Sequence, residues 1–353
     1  MISIEKKPFC DALARCCKVA PSKSLTQILG HVKIVVDSQL TYEATNLALS
    51  IRGHLPATGA PDSFTANARE LLERCAQVIG DTIKFSRKDG KLTITGEGKR
   101  KFTMSCLSVD DFPPIEVSCD EWVEVPGFKL REALEKVLPT VGSDETRLHL
   151  NCARLIIGDC KISTASTNGH SVSFSSSKVD TEGRLTAFIP KSTVMVVLSM
   201  DSDSVEIGAT DRANYFRTGN EILIAKTVEN SFPPVEMVLQ QIKNSNYAEV
   251  DSKKLLSAIQ AIRKSGAKEY TVVTISPEEF MVESQTVDGG SEASDSIEVT
   301  TEHSGKFKLS SDYLMSALKS CETASFEFGA AMDPIIIFDE SEGFKSIIMP
   351  MEL

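Results

Sequence analysis

Asp111-Phe112-Pro113-Pro114 and Ser231-Phe232-Pro233-Pro234 carry the same Phe-Pro-Pro triplet, 120 residues apart. Each follows a run in which apolar and polar residues alternate, and each precedes a short polar linker. Proline offers no backbone donor and fixes φ, so Phe-Pro-Pro stops a sheet ladder and opens a linker. A third strand-like run closes the chain at Met349-Pro350-Met351-Glu352-Leu353, about one spacing further on. Three endings at near-equal intervals imply three copies of one module.

Working outward from these endings, the module repeats in register. Helix-like segments begin each third, at Pro8 to Val19, Phe128 to Leu138 and Asp251 to Arg263, with apolar residues at i, i+3/i+4, i+7. Leu13, Leu134 and Leu255 fall 121 residues apart. A second segment follows in each third, at Ala66 to Val78, Pro190 to Met200 and Ser310 to Ser320. Pro190-Lys191-Ser192 and Ser310-Ser311-Asp312 offer helix-start chemistry. Between the helices, runs such as Val32 to Val36, Lys91 to Thr95, Lys101 to Ser105, Arg184 to Phe188 and Tyr270 to Thr274 alternate as strands do. Gln285 to Ser296, with Gly289-Gly290, reads as an exposed flexible loop. The expected fold is α+β: three repeated domains, 1–119, 120–241 and 242–353, each with two helices and antiparallel sheets.

Composition narrows the function. The chain has 353 residues, 41% hydrophobic and 25% charged, ordinary for a globular protein of two or three domains. No apolar run approaches the roughly 20 residues of a membrane span, and the N-terminus lacks the pattern of a secretory leader. Nine cysteines without Cys-x-x-Cys read as reduced, mostly core thiols, and the scattered histidines offer no zinc spacing. A cytoplasmic protein is expected. The net charge of −11 argues against a protein that coats itself in nucleic acid, yet it permits one basic surface. The helices supply one, through Lys18, Arg69, Arg74, Lys136, Lys191 and Lys264 among others. A lysine on a single helix is ordinarily its solvated face, but the same bias in three modules points to a common lining that attracts phosphate without reading sequence.

No catalytic constellation emerges. Gly96-Glu97-Gly98-Lys99 lacks phosphate-loop spacing and the following hydroxyl. Asp110-Asp111 would point to opposite faces of a strand, and His170 has no nucleophile nearby in sequence. No enzyme, cofactor or metal is expected.

Taken together, Ile28-Leu29-Gly30, Phe102-Thr103-Met104, Asp110-Asp111-Phe112-Pro113, Leu150-Asn151, Thr167-Asn168-Gly169-His170, Phe232-Pro233 and Met349-Pro350-Met351-Glu352-Leu353 resemble the beta subunit of bacterial DNA polymerase III, the processivity sliding clamps, over the whole chain. The resemblance implies a DNA-clamp fold and a head-to-tail ring homodimer. Helices would line a hole that encircles double-stranded DNA, near the nucleoid. It implies a pocket for short linear motifs of the polymerase, clamp loader and repair proteins. By motif, that pocket comprises Leu150, Thr167, Gly169, His170, Val172, Pro233, Met237, Val238, Ile347, Met349, Pro350, Met351 and Leu353. It implies a DNA-near residue at Lys23, and a ring seam using Phe102 and Met104 on one side and Ile259 and Ile262 on the other. The sequence departs from the family where Ser171 and Met237 replace arginines and where Glu352 replaces another, which suggests a less basic pocket rim. The alternatives are a peptide-binding scaffold that never encircles DNA, and a specialised or phage clamp outside the main replisome.

Overall fold

Helix-start chemistry and the apolar stripes place the helices where the periodicity requires them. The computed structural model describes residues 1–228, 232–264, 269–285 and 292–352. Six helices match the expected pairs: α1 (Lys6–Val19) and α2 (Ala68–Ala76), α3 (Gly127–Val137) and α4 (Lys191–Val197), and α6 (Ser252–Ile262) and α7 (Ser311–Lys319). A further short helix, α5 (Val235–Gln241), follows the second Phe-Pro-Pro and has no counterpart in the sequence reading. Asn67 caps α2 by accepting the Glu70 amide at 3.1 Å, and Asp251 caps α6 by accepting the Lys254 amide at 2.9 Å. Ser310 stands at the start of α7 without a side-chain cap bond.

Every strand pairing among the described residues is antiparallel, and the strands form four sheets. The chain divides into two compact units, Met1–Phe128 with Ser192–Thr227, and Lys129–Lys191 with Val228–Leu353. Unit 1 holds a five-stranded sheet that ends in the edge strand Lys101–Ser105, and an eight-stranded sheet. In that larger sheet, four strands from residues 31–67 join four from residues 123–226, meeting where Leu49–Leu55 pairs with Glu221–Lys226. Its core includes Phe9, Leu13, Phe64, Phe85 and Leu71, with the Phe9 and Phe85 rings 5.5 Å apart.

Unit 2 repeats the scheme. Its eight-stranded sheet joins residues 152–190 to residues 246–348, meeting where Ser171–Lys178 pairs with Phe344–Ile348. Its four-stranded sheet packs with α6 and α7 around Leu255, Ile259, Phe280, Phe307, Leu309 and Leu314. The middle third of the chain is thus shared between the units, half of its strands completing each large sheet.

One expectation fails in part. Glu292–Ile297 is not loop but a strand, paired along its length with Phe280–Gln285, so the acidic run forms a sheet edge whose charges protect it from further pairing. Residues 286–291 of that stretch lie outside the described residues.

Candidate functional site

Several of the expected pocket residues lie around one hairpin of unit 2. Lys161–Thr167 and Ser171–Lys178 are joined by a turn closed by its own side chains. The Thr167 hydroxyl donates to the Ser171 carbonyl at 2.9 Å and accepts the Gly169 amide at 3.1 Å, while Asn168 Oδ1 accepts the amides of His170 and Ser171, both at 2.9 Å. Gly169 has φ +91°, and a Cβ there would sit 2.8 Å from Arg147 Nη1 and 3.9 Å from Leu150 Cδ1. Glycine therefore lets Arg147 and Leu150 close over the turn. The His170 carbonyl accepts the Met349 amide at 3.1 Å, and Val172 pairs with Ile347 in the ladder.

Beneath lies an apolar cluster of Ala165, Val172, Val235, Ile336, Phe338 and Ile347, against which Phe232 and Leu239 pack. Helix α5 thus sets Val235 and Leu239 downward and leaves Met237 (55% exposed) and Val238 outward. Met349 (45%) and Met351 are also exposed, Pro350 is buried, and Pro233 is half-buried. Leu353 lies outside the described residues. Met237 and Met349 are thus flexible, polarisable side chains left in water near a packed apolar floor.

The charges around it differ from the expected rim. Ser171 is buried and donates to the Ile347 carbonyl at 2.9 Å, so this position faces the sheet joint and its lack of a guanidinium does not make the rim less basic. The guanidinium beside the turn belongs to Arg147, which no sequence motif singles out. Asp144 accepts the hydroxyl and amide of Thr146 and pairs with Arg147 Nε at 2.9 Å, which together lower its carboxyl to about 2. Arg154 stacks over Phe232 at 5.1 Å and pairs with Glu236 on α5. Burial alone would raise Glu236, but that pairing and its amide bond outweigh it and hold the carboxyl low.

The expected basic lining is unevenly free. Lys18, Lys23, Arg69 and Lys264 are exposed. Arg69 reaches the Cys17 carbonyl at 3.2 Å and that of Ala20 at 3.4 Å. Burial and neighbouring Arg15 lower the Lys18 ammonium. Arg74 pairs with Glu70 and donates to the Thr103 carbonyl at 3.2 Å. Lys191 donates to the Val141 carbonyl at 2.9 Å and the Ser143 hydroxyl at 2.8 Å. The Lys136 side chain, 9% exposed, lies between Glu132 (2.9 Å) and Glu342 (3.0 Å). Burial would lower its ammonium, but these pairings outweigh it and raise it. Its charge is neutralised within unit 2, so Lys136 is not available to phosphate as the sequence suggested.

At the expected seam, Phe102 is half-exposed on the edge strand Lys101–Ser105 and Met104 is nearly covered. Met104 borders a cavity of about 360 Å³ also lined by His31, Asn67 and Glu70. Ile259 and Ile262 are corrected by the structure. They lie on the stripe of α6 that packs into unit 2's own core, and its outward residues are Lys253, Lys254, Ser257, Gln260 and Ala261. The i, i+3/i+4 spacing that marks a helix marks first the face it buries in its own fold.

Among the described residues, no group of three His, Cys, Asp or Glu side chains is placed to hold a metal ion, and no helix is long and apolar enough to cross a membrane. The chain is an antiparallel α+β protein of sheet-sharing repeats with an apolar surface beside its last strand. Residues 1–116 match the DNA polymerase III beta subunit, N-terminal domain, and residues 124–234 match its central domain. The chain belongs to the DNA polymerase III beta subunit family, the non-enzymatic sliding clamps that make a polymerase processive. The beta sliding clamp of Bacillus subtilis is 21% identical over 374 residues, covering 99% of this chain and 98% of that protein. The clamp of Pseudomonas putida is 24% identical over 250 residues, covering 67% of each. The beta subunit of Thermotoga maritima superposes with TM-score 0.90 at 18% identity over 100% of both chains. A Pseudomonas aeruginosa clamp bound to griselimycin superposes with TM-score 0.88 at 21% identity over 99% of each.

Proposed function

We propose that two copies of this chain meet head to tail in a ring around duplex DNA and tether a polymerase and other DNA-processing proteins, in the cytoplasm, through short peptides. The three repeats, 1–119, 120–241 and 242–353, would supply the helices of the hole, with Lys18, Lys23, Arg69 and Lys264 as its exposed cations. Topological linkage replaces tight phosphate contact, which suits an acidic chain whose Arg74, Lys136 and Lys191 are engaged internally. The Lys101–Ser105 edge, with Phe102, would form one side of the seam, and the partner copy a different surface, since a heterologous contact is what closes a ring.

The observation that carries the peptide reading is the exposed Met237 and Val238 on α5, whose Val235 packs on the Val172–Ile347 floor, together with exposed Met349 two residues past Ile347. Arg147, not residue 171, would meet an acidic residue of the peptide. A titration of a fluorescein-labelled Gln-Leu-containing peptide tests this. Met349→Glu should weaken binding more than about tenfold, the loss of one well-packed apolar anchor, and an unchanged affinity would refute the assignment. Sedimentation equilibrium of the full chain should give twice 38.4 kDa, and protein loaded on nicked circular DNA should slide off once the circle is cut.

A further inference from the structure

Unit 1 contains a copy of the turn on which the unit 2 surface is built. Thr45, Asn46, Leu47 and Leu49 repeat the bonds of Thr167, Asn168, Gly169 and Ser171. The Leu47 amide donates to the Thr45 hydroxyl at 3.0 Å, and Asn46 Oδ1 accepts the amides of Ala48 and Leu49 at 3.0 and 2.7 Å. The Ala48 carbonyl accepts the Lys226 amide at 2.8 Å, as the His170 carbonyl accepts that of Met349. The floor is repeated in part: Ile28, Leu29, Phe112 and Ile115 cluster with Ile224 against them, although Ser50 pairs with Ile224 where Val172 pairs with Ile347 in unit 2.

The copies differ at one position. Where unit 2 has Gly169, unit 1 has Leu47, held at φ +73° and 54% exposed. A leucine is costly both in left-handed backbone and in water, and glycine would answer the turn's needs without either cost. A strained residue left more than half exposed suggests a purpose outside its own fold. The flanking charge is asymmetric. Lys226 is exposed at the turn end, while Asp111 and Glu116 are exposed at the Phe112 end.

We propose that Leu47 anchors a second docking site, for a short linear peptide whose apolar side chain packs on Leu47 and whose acidic residue faces Lys226. The inference rests on reading the unit 2 turn as a peptide site. The test uses the full chain and a fluorescein-labelled peptide carrying a Leu-Phe pair preceded by aspartates, with stoichiometry read by sedimentation velocity. Two peptides per chain are expected. Leu47→Gly should remove one of them and leave the unfolding midpoint unchanged or raised, because glycine relieves the backbone. A structural role for Leu47 would instead lower the midpoint. Lys226→Glu should weaken the second site about threefold, the scale of an exposed ion pair, and replacing the aspartates by lysines should restore it. In a Met349→Glu chain, remaining binding that Leu47→Gly abolishes supports the second site, whereas no binding, or binding that Leu47→Gly leaves intact, overturns it. A single peptide lost with Leu47→Gly and kept with Met349→Glu would support Leu47 and refute the unit 2 reading.

Discussion

The two large sheets are joined in the same topology by different chemistry. In unit 1, the joint of Leu49–Leu55 with Glu221–Lys226 is fastened by charge. Arg15 Nε reaches both Glu221 oxygens at 2.8 and 3.0 Å, and the fully buried Tyr42 hydroxyl donates to Glu221 Oε1 at 2.6 Å. In unit 2, the joint of Ser171–Lys178 with Phe344–Ile348 is fastened by hydroxyls. Ser171 donates to the Ile347 carbonyl, and Ser346 donates to the Val172 carbonyl at 3.2 Å. A buried charge needs each of its partners, whereas a buried hydroxyl can be exchanged for a methyl at modest cost. Unit 1's joint is therefore specific and brittle, and unit 2's tolerant. The tolerant joint is the one that adjoins the exposed methionines.

The largest effect is expected from Glu221→Ala. It strands the Tyr42 hydroxyl and the half-buried Arg15, and should cost about 3 kcal/mol or more. The single tryptophan, Trp122, lies in unit 1, so urea unfolding followed by its fluorescence reads this unit. A loss below about 1 kcal/mol would show that the network is ornamental. Next, Gly53→Ala places a Cβ against the Tyr42 ring and hydroxyl and should cost about 1–3 kcal/mol. Because it acts through the same tyrosine, its effect should fall well short of additive with Glu221→Ala in a double-mutant cycle. On the tolerant side, Ser346→Val should cost about 1 kcal/mol or less by circular dichroism, and a loss equal to that of Glu221→Ala would erase the distinction.

The smallest effect concerns acid. Burial lowers the His31 imidazole in unit 1, with Glu70 opposing, so the unfolded chain binds its proton more readily. That contribution is complete above the unfolded value of about 6.5 and is lost as pH falls through the lower folded value. In unit 2, burial would raise Asp339, but the Ser341 hydroxyl and the amides of Glu322, Thr323 and Glu342 outweigh it and hold it low. Its contribution is complete above about 3.9 and fades only as pH falls below that. Unit 1 should thus begin to weaken at milder acidity, and His31→Gln should flatten the Trp122-monitored stability between pH 7 and 5. An unaltered slope would place the acid response elsewhere.

Helices and strands were legible because each is a local pattern. Leu13, Leu134 and Leu255 recur on equivalent helices, and Lys91 to Thr95 alternates as a strand must. The joints were not, since nothing near Glu221 announces Arg15 or Tyr42, more than 170 residues away in the chain. Helix α5 escaped because its seven residues follow Phe-Pro-Pro, which reads as a linker, and have no equivalent helix in a repeat to reinforce them, as α4 has. Of the candidate site, the Thr167–Val172 turn and the terminal methionines were readable as motif. The burial of Ser171, the inward face of Ile259 and Ile262, and the neutralisation of Lys136 by Glu342 depend on neighbours that only folding brings close.

The sharing of the middle third has a consequence for how the chain is made. The ribosome releases residues 1–128 first, yet the strand Leu49–Leu55 finds its outer neighbour only when Glu221–Lys226 has emerged, roughly a hundred residues later. At about 5–20 residues per second, a nascent sheet edge stands open for some seconds. During that interval unit 1 is half a fold, and whatever shields that edge in the cell, a chaperone or the rapid collapse of α1 onto its strands, governs how much finished protein each round of synthesis yields.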